Sequence, residues 1–241
     1  MDRVVILPER SDVERAVAHD TLVVLAEAIS KRGRADIVLT GGTVGVGSLA
    51  AIATSSESAG IDWRLVHVWW GDERFVPAGH PDRNEGQASL ALLNHVPVRE
   101  ENIHRFPVAD GDDVETARKR FDAELRAEFA SKPPFDLVLN GMGADGHIAS
   151  LFPGRNHGTA DDLTIAIDDS PKPPPIRLSL TFAALNSGSK VWVIASGTDK
   201  SVAISRLMAG VSVDDLPVAG LHGTVETALY LDAAAASLLP S

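Results

Sequence analysis

Phe135-Asp136-Leu137-Val138-Leu139-Asn140-Gly141-Met142-Gly143-Ala144-Asp145-Gly146-His147 is the stretch that decides the fold. Its short apolar run lacks alternation, the pattern of a strand covered on both faces of a parallel sheet. The run breaks off into three glycines, a carboxylate and an imidazole. Glycine accepts backbone angles closed to other residues and lets a ligand approach the main chain. Histidine is the side chain suited to exchanging protons near neutral pH. A turn of this composition at a strand end predicts a reaction site on the rim of a sheet.

Working outward, further strand patterns fall at residues 4–7, 37–40, 65–70, 176–180, 191–195 and 228–231, with the central one at 137–140. Helical patterns lie between them. Ser11-Asp12-Val13-Glu14 has capping-box spacing, and Gly33 is placed to end that helix after Lys31 and Arg32. Over residues 113–130, Ala117, Phe121, Leu125 and Phe129 recur every four residues and make one apolar stripe. This order predicts an α/β fold of three layers: an open, mostly parallel, Rossmann-like sheet with helices on both faces. It spans residues 1–241 as one domain. The proline-rich segment 168–175 reads as a surface loop within it, either a lid or a linker.

Composition narrows the function classes. The 241 residues are 44% hydrophobic and 23% charged, with a formal net charge of −11. That balance argues against nucleic-acid binding, which needs a basic face. An anionic substrate stays open, because a few cations can converge in a pocket of an acidic protein. The absence of cysteine excludes disulfides, thiolate metal sites and cysteine nucleophiles. The N-terminal apolar stretch is too short for a signal peptide and no segment is long enough to span a bilayer, so a soluble cytoplasmic protein is expected.

Four strand patterns run into polar or glycine-rich segments at their carboxyl ends. These are Gly41-Gly42-Thr43-Val44-Gly45-Val46-Gly47, Gly71-Asp72-Glu73-Arg74, the Asp145/His147 turn, and Ser196-Gly197-Thr198-Asp199-Lys200. Ligands of open α/β sheets bind outside the carboxyl ends of strands. Gly41 and Gly42 lack the lysine of a P-loop and the spacing of a dinucleotide fingerprint, but suit backbone amides presented to an anion at a helix start. Arg74, Arg177 and Lys200 are the candidate cations. Arg177 stands out, a charge inside an otherwise apolar strand pattern. His147 follows Asp-Gly on the rim and reads as catalytic. His67 reads as structural, while His19, His80, His95, His104 and His157 lack zinc-like spacing on a helix, so no metal and no cofactor is expected. His222 is left unassigned.

Together these blocks resemble the 6-phosphogluconolactonases. The resemblance rests on Leu39-Thr40-Gly41-Gly42-Thr43, then Trp70-Gly71-Asp72-Glu73-Arg74-Phe75-Val76-Pro77 with Asn84 downstream. It continues through Gly141 to Gly154 and from Arg177-Leu178-Ser179-Leu180-Thr181 to Gly197-Thr198-Asp199-Lys200. Glucosamine-6-phosphate deaminases share the fold and a similar Gly-x-Asp-Gly-His turn. They place a glutamate where this chain has Phe152, whereas Ser150-Leu151-Phe152-Pro153-Gly154 has the lactonase form. Many lactonases read Gly-Gly-Ser-Thr-Pro in the first block; here Thr43 keeps one hydroxyl and Val44 loses the next.

The resemblance implies hydrolysis of a small sugar-phosphate lactone by a monomer or weak homodimer, with no nucleic-acid or membrane partner. It implies His147 as general base oriented by Asp145, and Gly41, Gly42, Thr43, Arg177 and Lys200 holding the phosphate. Arg74 serves either the oxyanion or the substrate's hydroxyls and phosphate, and Asp72 either orients Arg74 or contacts the sugar. The alternatives are a deaminase or isomerase of amino-sugar phosphates, and a sugar-phosphate sensor domain. A sheet beginning at Val4 leaves no room for the helix-turn-helix expected before such a sensor.

Overall fold

The apolar runs assemble as parallel strands because nothing in them alternates. β1 (Arg3–Leu7), β2 (Ala35–Leu39), β3 (Val66–Trp70), β5 (Leu137–Gly141), β8 (Lys190–Ala195) and β9 (Glu226–Asp232) form one six-stranded sheet. Their order is β1-β9-β8-β5-β2-β3, and every neighbouring pair is parallel. All five residues of β2 are buried, as are Leu137 to Asn140 of β5. The computed structural model describes residues 1–129 and 135–240.

The helices α1 (Arg10–Arg32), α2 (Thr43–Thr54), α3 (Asn84–Ala91), α4 (Val114–Phe129), α5 (Phe182–Leu185) and α6 (Ser201–Met208) pack around the sheet. Gly33 ends α1 as expected, at φ +70° with its N–H donating to Ile29 O at 2.7 Å. The capping box sits earlier than expected. Glu9, not Ser11, is the cap, and Asp12 accepts from the Glu9 N–H at 3.1 Å. Asp113 caps α4, accepting from the amides of Glu115 at 3.0 Å and Thr116 at 2.9 Å. The stripe of Ala117, Phe121 and Leu125 is buried. Ala130, the last residue of the predicted helix, lies outside the described residues.

A second, three-stranded antiparallel sheet of order β4-β7-β6 was not anticipated. It joins β4 (Asp72–Arg74), β6 (Thr164–Ile167) and β7 (Arg177–Leu180). The strand pattern at 176–180 therefore belongs to this sheet and not to the parallel one. β4 escaped notice because it is three charged residues long. Gly71 bridges the sheets, donating to Leu39 O at 3.0 Å and accepting from the Leu180 N–H at 2.8 Å.

Strand order then fixes where a ligand can enter. From β2 the chain moves outward to β3, then returns to place β5 on the other side of β2. The connections leaving β2 and β5 diverge, and such a topological switch point opens a crevice at the carboxyl ends of the strands. The glycine turns after β2 and β5 flank this crevice, joined where the Gly141 N–H donates to Thr40 Oγ1 at 2.9 Å.

Candidate active site

The turn after β5 is built around its glycines. A Cβ on Gly143 would lie 2.0 Å from His147 Nδ1 and 2.4 Å from Asp145 Oδ1, so only glycine leaves room for that pair. Gly146 sits at φ +81°, where a Cβ would also strike Leu216. The Gly143 N–H donates to His147 O at 2.9 Å and closes the turn. Its product is a short contact, His147 Nδ1 to Asp145 Oδ1 at 2.5 Å.

That contact decides the tautomer. The hydrogen bond from His147 holds the Asp145 carboxyl well below the usual carboxylate range, against a weaker upward push from burial. Ionised Asp145 can only accept, so Nδ1 carries a proton, and in the neutral ring the lone pair lies on Nε2. Phe152 is buried and packs against the imidazole, with ring centroids 4.6 Å apart. A carboxylate at position 152 would meet this ring; the benzyl group offers it no proton.

The pair opens onto a cleft of about 640 Å³ at the switch point, a size suited to a small ligand. Gly41, Gly42, Thr43, Asp72, Arg74, His147, Arg177 and Lys200 all line it. Gly41 gives space, since a Cβ there would lie 2.1 Å from Asn84 Oδ1; Gly42 gives conformation, at φ +79°. Gly42 caps α2 without a side-chain hydrogen bond. Unsatisfied amides of a first helical turn make a positive end.

β4 and β7 contribute the next side chains, with Arg74 opposite Arg177 and Asp72 opposite Ser179. Asp72 is buried and held by Ser150 Oγ at 2.6 Å and Asn84 Nδ2 at 3.2 Å, with Arg177 Nη1 3.8 Å away. The link from Asp72 to Arg74 runs through Asn84, whose Oδ1 accepts from Arg74 Nη1. Glu73 points away and accepts from the amides of Arg74, Asn84 and Glu85 at 2.8, 2.8 and 2.9 Å. Burial pushes its carboxyl up despite Arg83 and these donors. Glu73 thereby fixes the start of α3, and with it Asn84.

Arg177 is 4% exposed. Its Nε donates to Pro174 O at 3.2 Å, and Nη2 donates to Lys172 O at 3.0 Å and Pro173 O at 3.4 Å. Burial lowers its pKa, with nearby Arg74 adding to the effect and Asp72 opposing it. The proline-rich loop is therefore no slack linker: Arg177 clamps it, and Lys172 and Pro173 line the cleft. The Lys172 ammonium stands 3.4 Å from His147 Nδ1. On the far side, Lys200 pairs with Asp199 at 2.9 Å. Asp232 steadies that turn, accepting from Ser196 Oγ at 2.5 Å and the Gly197 N–H at 3.0 Å.

Eight of the nine residues expected at the site thus line one cleft, and the ninth, Asp145, stands behind it in contact with His147 Nδ1. His222 does not; its N–H donates to Asn186 Oδ1 at 3.0 Å, away from the cleft lining. Sequence reasoning missed Arg10, Lys172 and the holding roles of Glu73 and Ser150. Lys172 carried a signal, a lone cation among prolines five residues before Arg177. Arg10 carried none, since a charge on the first turn of a helix ordinarily faces solvent.

Comparison with known proteins fits this geometry. The family model for glucosamine-6-phosphate isomerases/6-phosphogluconolactonase matches residues 8–230. The 6-phosphogluconolactonase of Streptomyces coelicolor is 40% identical, with 99% of this chain and 95% of that protein covered. The Mycobacterium tuberculosis 6-phosphogluconolactonase is also 40% identical, with 96% of each covered. The solved 6-phosphogluconolactonase of Thermotoga maritima shares the fold at a TM-score of 0.85 and 23% identity, covering 95% of this chain and 99% of that one. With a matching family model over most of its length and relatives at this identity, the chain belongs to the glucosamine-6-phosphate isomerase/6-phosphogluconolactonase family.

Proposed function

We propose that the protein hydrolyses 6-phospho-D-glucono-1,5-lactone to 6-phosphogluconate, the lactonase step of the oxidative pentose phosphate pathway. The observation that carries this reading is the His147–Asp145 pair, with Nδ1 turned to the carboxylate, at the edge of a cation-lined cleft. The names of the 40%-identical relatives support the same substrate.

The phosphate lies at the start of α2, against the Gly42 and Thr43 amides and the Lys200 ammonium. Arg10 adds charge from the first turn of α1. Arg177 adds its charge from beneath the loop it clamps, and the same clamp sets Lys172. Fixing the far end of the substrate in this way lowers the entropic cost of bringing C1 to His147. Nε2 of His147 takes a proton from water as the water oxygen bonds to C1. Asp145 stabilises the imidazolium that results. The carbonyl oxygen becomes an oxyanion, and Arg74, with Lys172, stabilises its charge. As the tetrahedral centre collapses, the bond from C1 to the ring oxygen breaks, and that oxygen takes the proton back from His147. General acid–base help of this kind is worth about 10²–10⁴-fold. No serine nucleophile is required.

Two assays test the reaction class. Freshly prepared 6-phosphogluconolactone should disappear well above its spontaneous rate, and glucosamine 6-phosphate should release no ammonia. Ammonia release without lactone hydrolysis would overturn the reading.

A further inference from the structure

His67 and Trp69 lie two residues apart on edge strand β3, hence on one face of the sheet. On α4, Glu124 and Glu128 lie one turn apart and so share a side of the helix. His104 sits between the two elements. It is 8% exposed and stacks on Trp69, with centroids 3.7 Å apart and planes 2° from parallel. Its Nε2 is 3.0 Å from His67 Nδ1, and its Nδ1 is 3.3 Å from Glu124 Oε1. One donor atom each from His67, His104 and Glu128 lie within 4.8 Å of one another. Arg34 Nη1 donates to Glu128 Oε1 at 2.7 Å, anchoring that carboxylate at the group.

We propose that His67, His104 and Glu128 form a binding site for a divalent transition-metal ion of the zinc class, separate from the catalytic cleft. Two imidazoles and a carboxylate match zinc, cobalt and nickel; calcium and magnesium prefer oxygen alone. Metal–nitrogen bonds of about 2.0–2.1 Å place tetrahedral ligands about 3.4 Å apart. The 3.0 Å imidazole contact therefore needs to open by only a few tenths of an ångström. As it stands, the two facing nitrogens must share a proton, and a metal ion would take its place and release it. Glu124 supplies what a metal-bound histidine ordinarily has, a carboxylate on the other ring nitrogen. The stack on Trp69 holds the His104 ring in that orientation. His67 is the second residue of β3, at the end away from the rim that carries His147. The ion would tie α4 to the edge of the sheet and take no part in hydrolysis.

Chelator-treated full-length protein titrated with Zn²⁺ tests this by thermal unfolding, and Co²⁺ by its visible d–d absorption. At a hundredfold excess over Kd, Zn²⁺ should raise Tm by roughly 5–10 °C. His67→Gln should weaken binding of both ions at least tenfold. Glu124→Gln, which keeps all three ligands, should weaken it about 10–100-fold. Unfolding of each metal-free variant shows whether it is folded, and either variant alone suffices. His147→Ala should leave binding unchanged. No Tm shift and no cobalt bands in the parent would overturn the proposal. So would binding that survives both substitutions, or binding lost in His147→Ala, which would move the ion to the catalytic cleft.

Discussion

Gly143 is set by what a side chain there would strike. Its Cβ would enter the space of the His147 ring and the Asp145 carboxylate, so Gly143→Ala should displace the pair. We expect kcat to fall at least tenfold with little loss of Tm, since the clash is with two partly exposed side chains; unchanged kcat would show that the pair tolerates displacement. The 2.5 Å contact also makes a titration prediction. Asp145 is held low chiefly by His147. In a carboxyl-resolved NMR titration it should stay ionised through the usual Asp range, and in His147→Ala it should titrate near ~3.9. The sign for stability follows. A carboxyl with a lowered folded pKa stabilises the fold above its unfolded pKa and loses that contribution as pH falls through the folded value. His147→Ala should therefore flatten the acid side of the stability profile; an unchanged acid slope would contradict the assignment.

At the scale of elements, α4 is held to the sheet by aromatic packing. Phe121 is buried, its ring 4.3 Å from Phe106 and 6.4 Å from Trp69. Phe121→Ala should cost about 3–5 kcal/mol, read by denaturant unfolding, with kcat nearly unchanged because α4 does not line the cleft. The stripe that identifies α4 was legible in the sequence, as were the six strands of the parallel sheet: burial on both faces writes central strands such as β2 and β5 as unbroken apolar runs, and edge strand β1 is apolar although Val4 and Ile6 are exposed. The small antiparallel sheet was not. β4 is Asp-Glu-Arg, whose charges are satisfied by α3 and β7, and no local pattern announces partners that arrive later in the chain. The site shows the same division. Glycine turns and the Asp145/His147 pair are local and could be read. The Arg177 clamp on Lys172 depends on a loop folding back, which spacing alone does not encode.

Over the whole molecule, the charge of −11 and the cleft are opposed. Arg10, Arg74, Lys172, Arg177 and Lys200 converge on the switch point of an acidic protein, a local field that draws in an anion. Salt should therefore raise KM for the phosphorylated lactone while leaving kcat nearly constant, because screening acts on encounter and binding. Lys200→Ala should raise KM and flatten that salt dependence; a KM indifferent to both would remove Lys200 from phosphate binding. The central claim is that His147 moves the proton in lactone hydrolysis. The most direct measurement is the opening of freshly generated 6-phosphogluconolactone by the parent and by His147→Ala, each corrected for the spontaneous rate. If His147 moves the proton, the parent accelerates opening strongly and the variant loses about 10²–10⁴-fold. A variant as fast as the parent would contradict that claim.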